Sequence, residues 1–442
     1  MSAAAVGAQA AARLLLSGNE AIARGVWEAG CKVAAAYPGT PSTEILENIA
    51  LYPDLYAEWS VNEKVSMEVA IGASMSGARS FCAMKHVGMN VASDAFMTLT
   101  LAGVVGGMVV AVADDVGLSS SQNEQDSRFW GRFAHVPVLE PADSQEAYEM
   151  VKLGFAMSER FNTPVILRLT TRICHVKAMV TVGERDPRPI SGFKLDAKRW
   201  VLTPANAKVA LPRQIAREDA LRAEAEQSPL NVVDGGSDRR VGFVTSGPAF
   251  MHVRESFPDA PILKLGFTYP VPVEMVKAFR AQVDTLVVAE ETEPLIENEL
   301  KAAGLFDIHG KDILPRLGEL SPAALMPAIA KLLGEEPPPP AAYAKIDPFP
   351  RPPTMCPACP HMGVYYTLSR LRKRVQISGD IGCYTLGAGH PWNALDTTIS
   401  MGASMGIALG MDKARSEETR DKAVVSVIGD STFLHMGMQG LL

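Results

Sequence analysis

The strand-to-loop step at Ala423 to Asp430, AVVSVIGD, constrains this chain more than any other stretch. An apolar, valine-rich run of this length reads as a buried strand of a parallel sheet. It breaks at Gly429-Asp430 and runs on into Ser431-Thr432-Phe433. In a doubly wound sheet, the loop at the carboxyl end of such a strand is where phosphate groups and their metal sit. An exposed Asp430 is there a hard oxygen ligand of the kind Mg2+ uses beside phosphate oxygens.

The 442 residues exceed one ordinary core, so two or three domains are expected. A net charge of −7 argues against nucleic acid as the main partner. No apolar run reaches the roughly 18 residues of a membrane span, and the longest, Leu99 to Ala113, is interrupted by glycines. The alanine-rich N-terminus has no basic segment ahead of its short Leu14-Leu15-Leu16 run, which is not a signal peptide. A cytoplasmic protein is expected. Six cysteines in so long a chain do not make a disulfide framework, leaving metal binding or inert core.

Strand-like and helix-like segments alternate through the first 182 residues. Cys31 to Tyr37 is a short apolar strand closed by the turn Pro38-Gly39-Thr40-Pro41. Asn62 caps a helix beginning at Glu63. Further strands are expected at Phe81 to Lys85, Val104 to Ala113 and Pro164 to Thr170. Such alternation implies a two-faced parallel α/β sheet. Residues 183–240 are charged and proline-rich and read as a connector. A second α/β segment covers 241–335, with strands near Val241, Ile262 and Thr285. The stretch 336–354 is a stiff proline-rich linker, with Pro337 to Pro340 consecutive. The last segment is 355–442.

Four groups of residues could carry chemistry. Cys356 and Cys359, at i and i+3, point two sulfurs one way, and Cys383 follows at another strand-end loop. Soft thiolates select zinc or iron–sulfur clusters. With His361 close by, a Cys3His zinc site fits the spacing as well as a cluster does. Glu63 sits in the first helical turn, where the macrodipole alone favours a carboxylate. Arg128 and Arg132 lie in the polar stretch 119–132 after Asp114-Asp115, and either could clamp a carboxylate or make a surface ion pair. His86 and His435 are acid–base candidates or satisfied loop histidines.

Taken together, these strings resemble the 2-oxoacid:ferredoxin oxidoreductases, and within them the large subunit of the indolepyruvate enzymes. The likeness rests on Tyr37-Pro38-Gly39-Thr40-Pro41-Ser42, Asn62-Glu63-Lys64-Val65 and Lys85-His86-Val87-Gly88-Met89-Asn90. It extends through Ser120 to Asp126, Glu290 to Pro294, Cys356 to His361, Gly379 to Tyr384 and Gly429 to Phe433. The resemblance implies several doubly wound α/β domains of the thiamine-diphosphate-binding type. These would be a pyrimidine-binding domain at 1–182, a transketolase-C-like domain at 241–335 and a diphosphate-binding domain at 355–442. It implies oxidative decarboxylation of an aryl 2-oxoacid with coenzyme A to an aryl-acetyl-CoA, with electrons passing through iron–sulfur clusters to ferredoxin.

For the residues, the resemblance implies that Glu63 activates thiamine diphosphate and that Thr40 with Arg132 or Arg128 holds the substrate carboxylate. His86, Gly382, Gly429, Asp430 and Ser431 would contact the cofactor, Asp430 would bind Mg2+, and Cys356, Cys359 and Cys383 would hold a [4Fe–4S] cluster. Implied partners are a small subunit of the same enzyme, ferredoxin or a flavin subunit as acceptor, and a second copy in a homodimeric core. A second metal loop would follow Asp430 by about one βα unit, so the sequence reads as incomplete at Leu442. Two other functions are open: a non-oxidative thiamine-diphosphate decarboxylase, which needs no thiolate cluster, and a non-catalytic scaffold stapled by zinc.

Overall fold

The computed structural model describes residues 12–337, 339 and 349–442, and divides near residue 340 into two compact units. The expected proline-rich linker lies largely outside the described residues. In the first unit the strands are, in chain order, β1 (Arg13–Ser17), β2 (Val33–Ala36), β3 (Tyr56–Trp59), β4 (Ser80–Lys85) and β5 (Met108–Asp114). β6 (Val138–Leu139), β7 (Val165–Thr170), β8 (Lys177–Thr181) and β9 (Asn231–Asp234) follow. β10 (Val241–Thr245), β11 (Ile262–Leu265), β12 (Phe267–Tyr269) and β13 (Thr285–Ala289) complete it.

Seven of these form one sheet in the order β12-β6-β7-β5-β4-β2-β3, parallel except at β12. β4, β5 and β7 are buried at every position, as near-continuous apolar strands covered on both faces must be. Ile22, Val26, Val151 and Phe155 fill one face. On the other, Met67 and Phe96, from helices Glu63–Met75 and Ala102-ended His86–Ala102, pack on Cys82, Met84 and Val112. The chain leaves β2 outward to β3, then crosses back over β2 to lay down β4 and β5. Successive connections therefore part company between β2 and β4, the position where ligands settle in such sheets.

Residues 183–240 are more than a connector. The helix Pro204–Ala225 sends Leu221 and Ala225 into the main core, and β9 pairs antiparallel with β11 at the edge of a second sheet, β13-β10-β11-β9. The charged composition of this segment belongs to its exposed faces. β12, from the second α/β segment, joins the first sheet beside β6, so the two segments share one framework.

The second unit holds β14 (Val375–Gly379) and β15 (Ala423–Val427), parallel and in register, with Gly379 opposite Val427. Its core is Tyr365, Ile377, Tyr384, Leu395 and Val427.

Candidate active site

The carboxyl edge of the seven-stranded sheet gathers the candidate residues of the first unit. After β3, the Asn62 side chain accepts the Val65 N–H at 2.9 Å and starts the helix Glu63–Met75. That cap places Glu63 in the first turn, only 6% exposed. The helix His86–Ala102 begins directly after β4 and passes Glu63 at Gly88. A Cβ at Gly88 would lie 2.6 Å from Cγ and from Oε1 of Glu63. Only glycine leaves room for the carboxyl group in that position. His86 is fully buried, and its Nε2 stands 3.0 Å from the Asn123 carbonyl oxygen. A carbonyl only accepts, so Nε2 carries the proton.

The turn at Thr40 is held from below. The Gly39 N–H donates to Thr43 Oγ1 at 3.0 Å, the Ser42 hydroxyl donates to the Gly39 carbonyl at 2.9 Å, and Asn19 donates to the Pro41 carbonyl at 2.8 Å. Thr40 itself is exposed. Beside the turn runs Lys85, whose Nζ donates to the Ser120 carbonyl at 2.7 Å. Asp115 binds the same loop, accepting the Ser120 N–H at 2.7 Å and the Ser121 hydroxyl at 2.6 Å. The polar loop after β5 is thus tied down over the strand ends.

The two arginines behave differently from expectation. Arg128 is completely buried, with Nε 2.9 Å from Asp126, one terminal nitrogen 2.8 Å from Glu290, and the other donating to the Glu291 and Glu293 carbonyls at 3.0 and 2.9 Å. Its guanidinium is engaged in joining the first α/β segment to the second, with no side-chain surface exposed to solvent. Asp126 is buried, yet Arg128 beside it holds its carboxyl well below the usual range. Arg132 is half exposed and pairs with Glu299 at 2.8 Å, bordering an open hollow of about 600 Å³ lined by Phe129, Trp130, Phe133 and His135. Neither Thr40 nor Glu63 lines that hollow. Nearby, Glu291 accepts the Leu320 N–H at 3.1 Å, and burial pushes its carboxyl up to about 7.

In the second unit a Gly-Asp step closes β14 at Gly379-Asp380 and another follows β15 at Gly429-Asp430, and the two aspartates have opposite surroundings. Asp380 is buried and accepts the N–H groups of Ile381, Gly402 and Ser404 at 2.8, 2.7 and 3.0 Å. It anchors the following loop and helix. Asp430 is exposed and accepts the Ser431 N–H at 2.9 Å. Between the two loops stands Tyr384. A Cβ at Gly429 would lie 2.6 Å from the Tyr384 ring, and one at Gly382 would strike the same ring. These glycines are therefore required by an aromatic side chain, a partner that the local sequence did not announce. His435 is buried in the helical run that follows.

Cys356 and Cys383 are exposed free thiols and Cys359 is half-buried. Cys359 Sγ lies 3.5 Å from His361 Nδ1, and His361 stacks on Tyr384 at 4.8 Å. Among the described residues, no three His, Cys, Asp or Glu side chains are grouped to hold a metal. No described helix is long and apolar enough to cross a membrane. A cavity of about 890 Å³ in the first unit is lined by Lys198, Arg199, Arg213 and Arg217 and by none of the candidate site residues.

Residues 24–231 match the family "Pyruvate flavodoxin/ferredoxin oxidoreductase, thiamine diP-bdg", and residues 380–442 match "Thiamine pyrophosphate enzyme, C-terminal TPP binding domain". Fold and matches together define a thiamine-diphosphate-binding α/β enzyme chain. Over 454 residues it is 44% identical to the indolepyruvate oxidoreductase subunit IorA of Methanothermobacter thermautotrophicus, covering 97% of this chain and 72% of that one. IorA of Pyrococcus horikoshii is 40% identical over 465 residues, with the same shares covered. The 2-oxoglutarate:ferredoxin oxidoreductase from Magnetococcus marinus has the same fold, at TM-score 0.59 and 17% identity, over 72% of this chain and 65% of that one. The chain belongs to the 2-oxoacid:ferredoxin oxidoreductase family, with the indolepyruvate oxidoreductase IorA subunits.

Proposed function

We propose that this chain is the catalytic subunit of an enzyme that oxidatively decarboxylates an aryl 2-oxoacid of the indolepyruvate type. With coenzyme A the products are an aryl-acetyl-CoA, CO2, a proton and two electrons, which leave one at a time for ferredoxin. The observation that carries this reading is the Glu63 carboxyl group, buried against Gly88 at the carboxyl edge of the large sheet, in a chain so close to the IorA subunits.

The residues present fit the implied groups. Glu63 is a buried acid held on a rigid helix start, as a single hydrogen bond to the aminopyrimidine of thiamine diphosphate requires. Asp430 is an exposed hard oxygen donor at a strand end, fitted to Mg2+. Cys356, Cys359 and Cys383 are free soft donors of the type a [4Fe–4S] cluster takes, two of them exposed, but the three are not grouped around one metal position in this structure. When bound, thiamine diphosphate supplies the carbanion chemistry that the side chains lack.

The protein's own part is positioning and proton transfer. Glu63 would hydrogen-bond the aminopyrimidine ring of the bound cofactor and hold or release a proton at its carboxyl oxygen. Gly88 lets helix His86–Ala102 close on that carboxyl and keep water from it. The His86 Nε2–H grips the Asn123 carbonyl and so holds the polar loop over the site. The enzyme works in the cytoplasm with a small partner subunit, on a homodimeric core, and delivers electrons to ferredoxin or through a flavin subunit.

Anaerobically purified enzyme with its partner subunit tests this. It should reduce a viologen dye only when indolepyruvate, coenzyme A, thiamine diphosphate and Mg2+ are all present. Aldehyde release with neither dye reduction nor bound iron would replace it with the non-oxidative decarboxylase.

A further inference from the structure

At the carboxyl ends of β2 and β4 stands a cation, Lys85, that makes no ion pair among the described residues, and we infer that it receives the carboxylate of the substrate 2-oxoacid beside Thr40. The inference rests on the function proposed above and supplies what the two arginines do not.

Register places Lys85. Ala36 of β2 lies opposite Ala83 of β4, and Lys85 lies opposite Ala113 of β5. Lys85 therefore stands just past the end of β2, between the Pro38-Gly39-Thr40 turn and the Asp114-Asp115 step. This is the point where the crossovers diverge, and in such sheets the crevice outside the strand ends there takes the ligand. The contact is direct: a Cβ at Gly39 would be 3.2 Å from Lys85 Cβ and 3.8 Å from its Cδ. The stem of Lys85 runs along the residue next to Thr40. Three residues further on, Gly88 touches Glu63. One short segment thus faces both the turn and the acid.

The ammonium has capacity for a ligand. It carries three donors; its hydrogen bond is to the Ser120 carbonyl at 2.7 Å, with the Ser120 hydroxyl at 3.5 Å. Among the described residues it makes no ion pair. Asp115, the acid whose charge it feels, is occupied by Ser120, Ser121 and Thr171. Lys85 is only 8% exposed, and burial pulls its pKa down against the pull of Asp115. A bound carboxylate compensates that buried charge. Arg128 is sealed between Asp126 and Glu290, and Arg132 is engaged by Glu299. Without a ligand, Lys85 would be only a staple for the polar loop, and the experiment separates the two roles.

Lys85→Met and Lys85→Arg are compared with wild type in the enzyme assembled with its partner subunit. The probes are indole-3-propionate, a non-reacting carboxylate, and its neutral amide, both titrated by calorimetry at saturating thiamine diphosphate and Mg2+. Lys85→Met should weaken the carboxylate at least tenfold, leave the amide and thiamine diphosphate within twofold, and raise KM for the 2-oxoacid more than it lowers kcat. Lys85→Arg should recover most of the carboxylate affinity. Equal weakening of carboxylate and amide, or parallel loss of thiamine diphosphate, would reduce Lys85 to a loop staple and overturn the inference. Unchanged carboxylate binding would overturn it too. The carboxylate-against-amide comparison is a binding result, so it stands or falls independently of whether wild type turns over indolepyruvate.

Discussion

Gly88 and Glu63 are in contact across the start of two helices, with no room for even a methyl group between them: the Cβ of an alanine at 88 would lie 2.6 Å from Glu63 Oε1. The proposed acid is thus positioned by the absence of a side chain on its neighbour. Gly88→Ala should lower kcat by about 10²-fold, the scale at which roughly 1 Å of misplacement is felt. Alanine is the better helix former by about 1 kcal/mol, so the helix itself is not weakened by propensity. Steady-state kinetics beside a thermal melt will separate the two effects; a fully active Gly88→Ala enzyme would show that the contact does not set the geometry of Glu63.

Arg128 and Arg132, four residues apart on one short helix, should answer mutation in different ways. Arg128→Met leaves Asp126 and Glu290 buried without their cation, and removing one partner of a buried pair costs about 3–5 kcal/mol. Arg132→Ala removes a half-exposed pair with Glu299, which is worth about 1 kcal/mol or less. Urea unfolding of the two variants checks this. Similar stability losses would contradict the structural role given to Arg128.

Glu291 makes stability depend on pH in a definite direction. Burial raises its folded pKa to about 7 from an ordinary 4.5. The folded value lies above the unfolded one, so its contribution is fully present below about pH 4.5 and is lost as pH rises through 7. Glu291→Gln keeps an acceptor for the Leu320 N–H and has no charge to bury. It should be more stable than wild type at pH 8, by up to roughly 3 kcal/mol, with the gain fading by pH 4.5. Equilibrium unfolding across that range is the check, and a gain that does not change with pH would contradict it.

The alternation of strands and helices through the first segment, the helix start at Asn62-Glu63 and the Gly-Asp step after β15 were legible because each is written in a few adjacent residues. A cap, a turn or an apolar run needs no distant partner. What the sequence did not disclose depends on contacts across long separations. Arg128 meets Glu290 162 positions away, and β12 crosses from the second α/β segment into the first sheet. Gly382 and Gly429 each also leave room for Tyr384, whose packing between two loops has no local signature. Lys85 sat unremarked within a motif because its relation to Gly39 exists only once β2 and β4 are neighbours.

The three exposed or half-exposed thiols of the second unit predict iron in the anaerobic enzyme. Cys359→Ser, which removes the thiol beside His361, should cut bound iron and dye reduction together while leaving thiamine diphosphate affinity within a few-fold. Elemental analysis decides this, and zinc in place of iron would point to the structural staple.

The central claim is that Glu63 is the acid that activates the cofactor, and Glu63→Gln tests it most directly because the change preserves shape while removing the ionisable group. Turnover and thiamine diphosphate affinity are measured on the same assembled enzyme. The account predicts a fall in kcat of roughly 10²–10⁴-fold, the usual worth of a general acid–base group, with cofactor affinity close to wild type; a Glu63→Gln enzyme with near-normal turnover would contradict it.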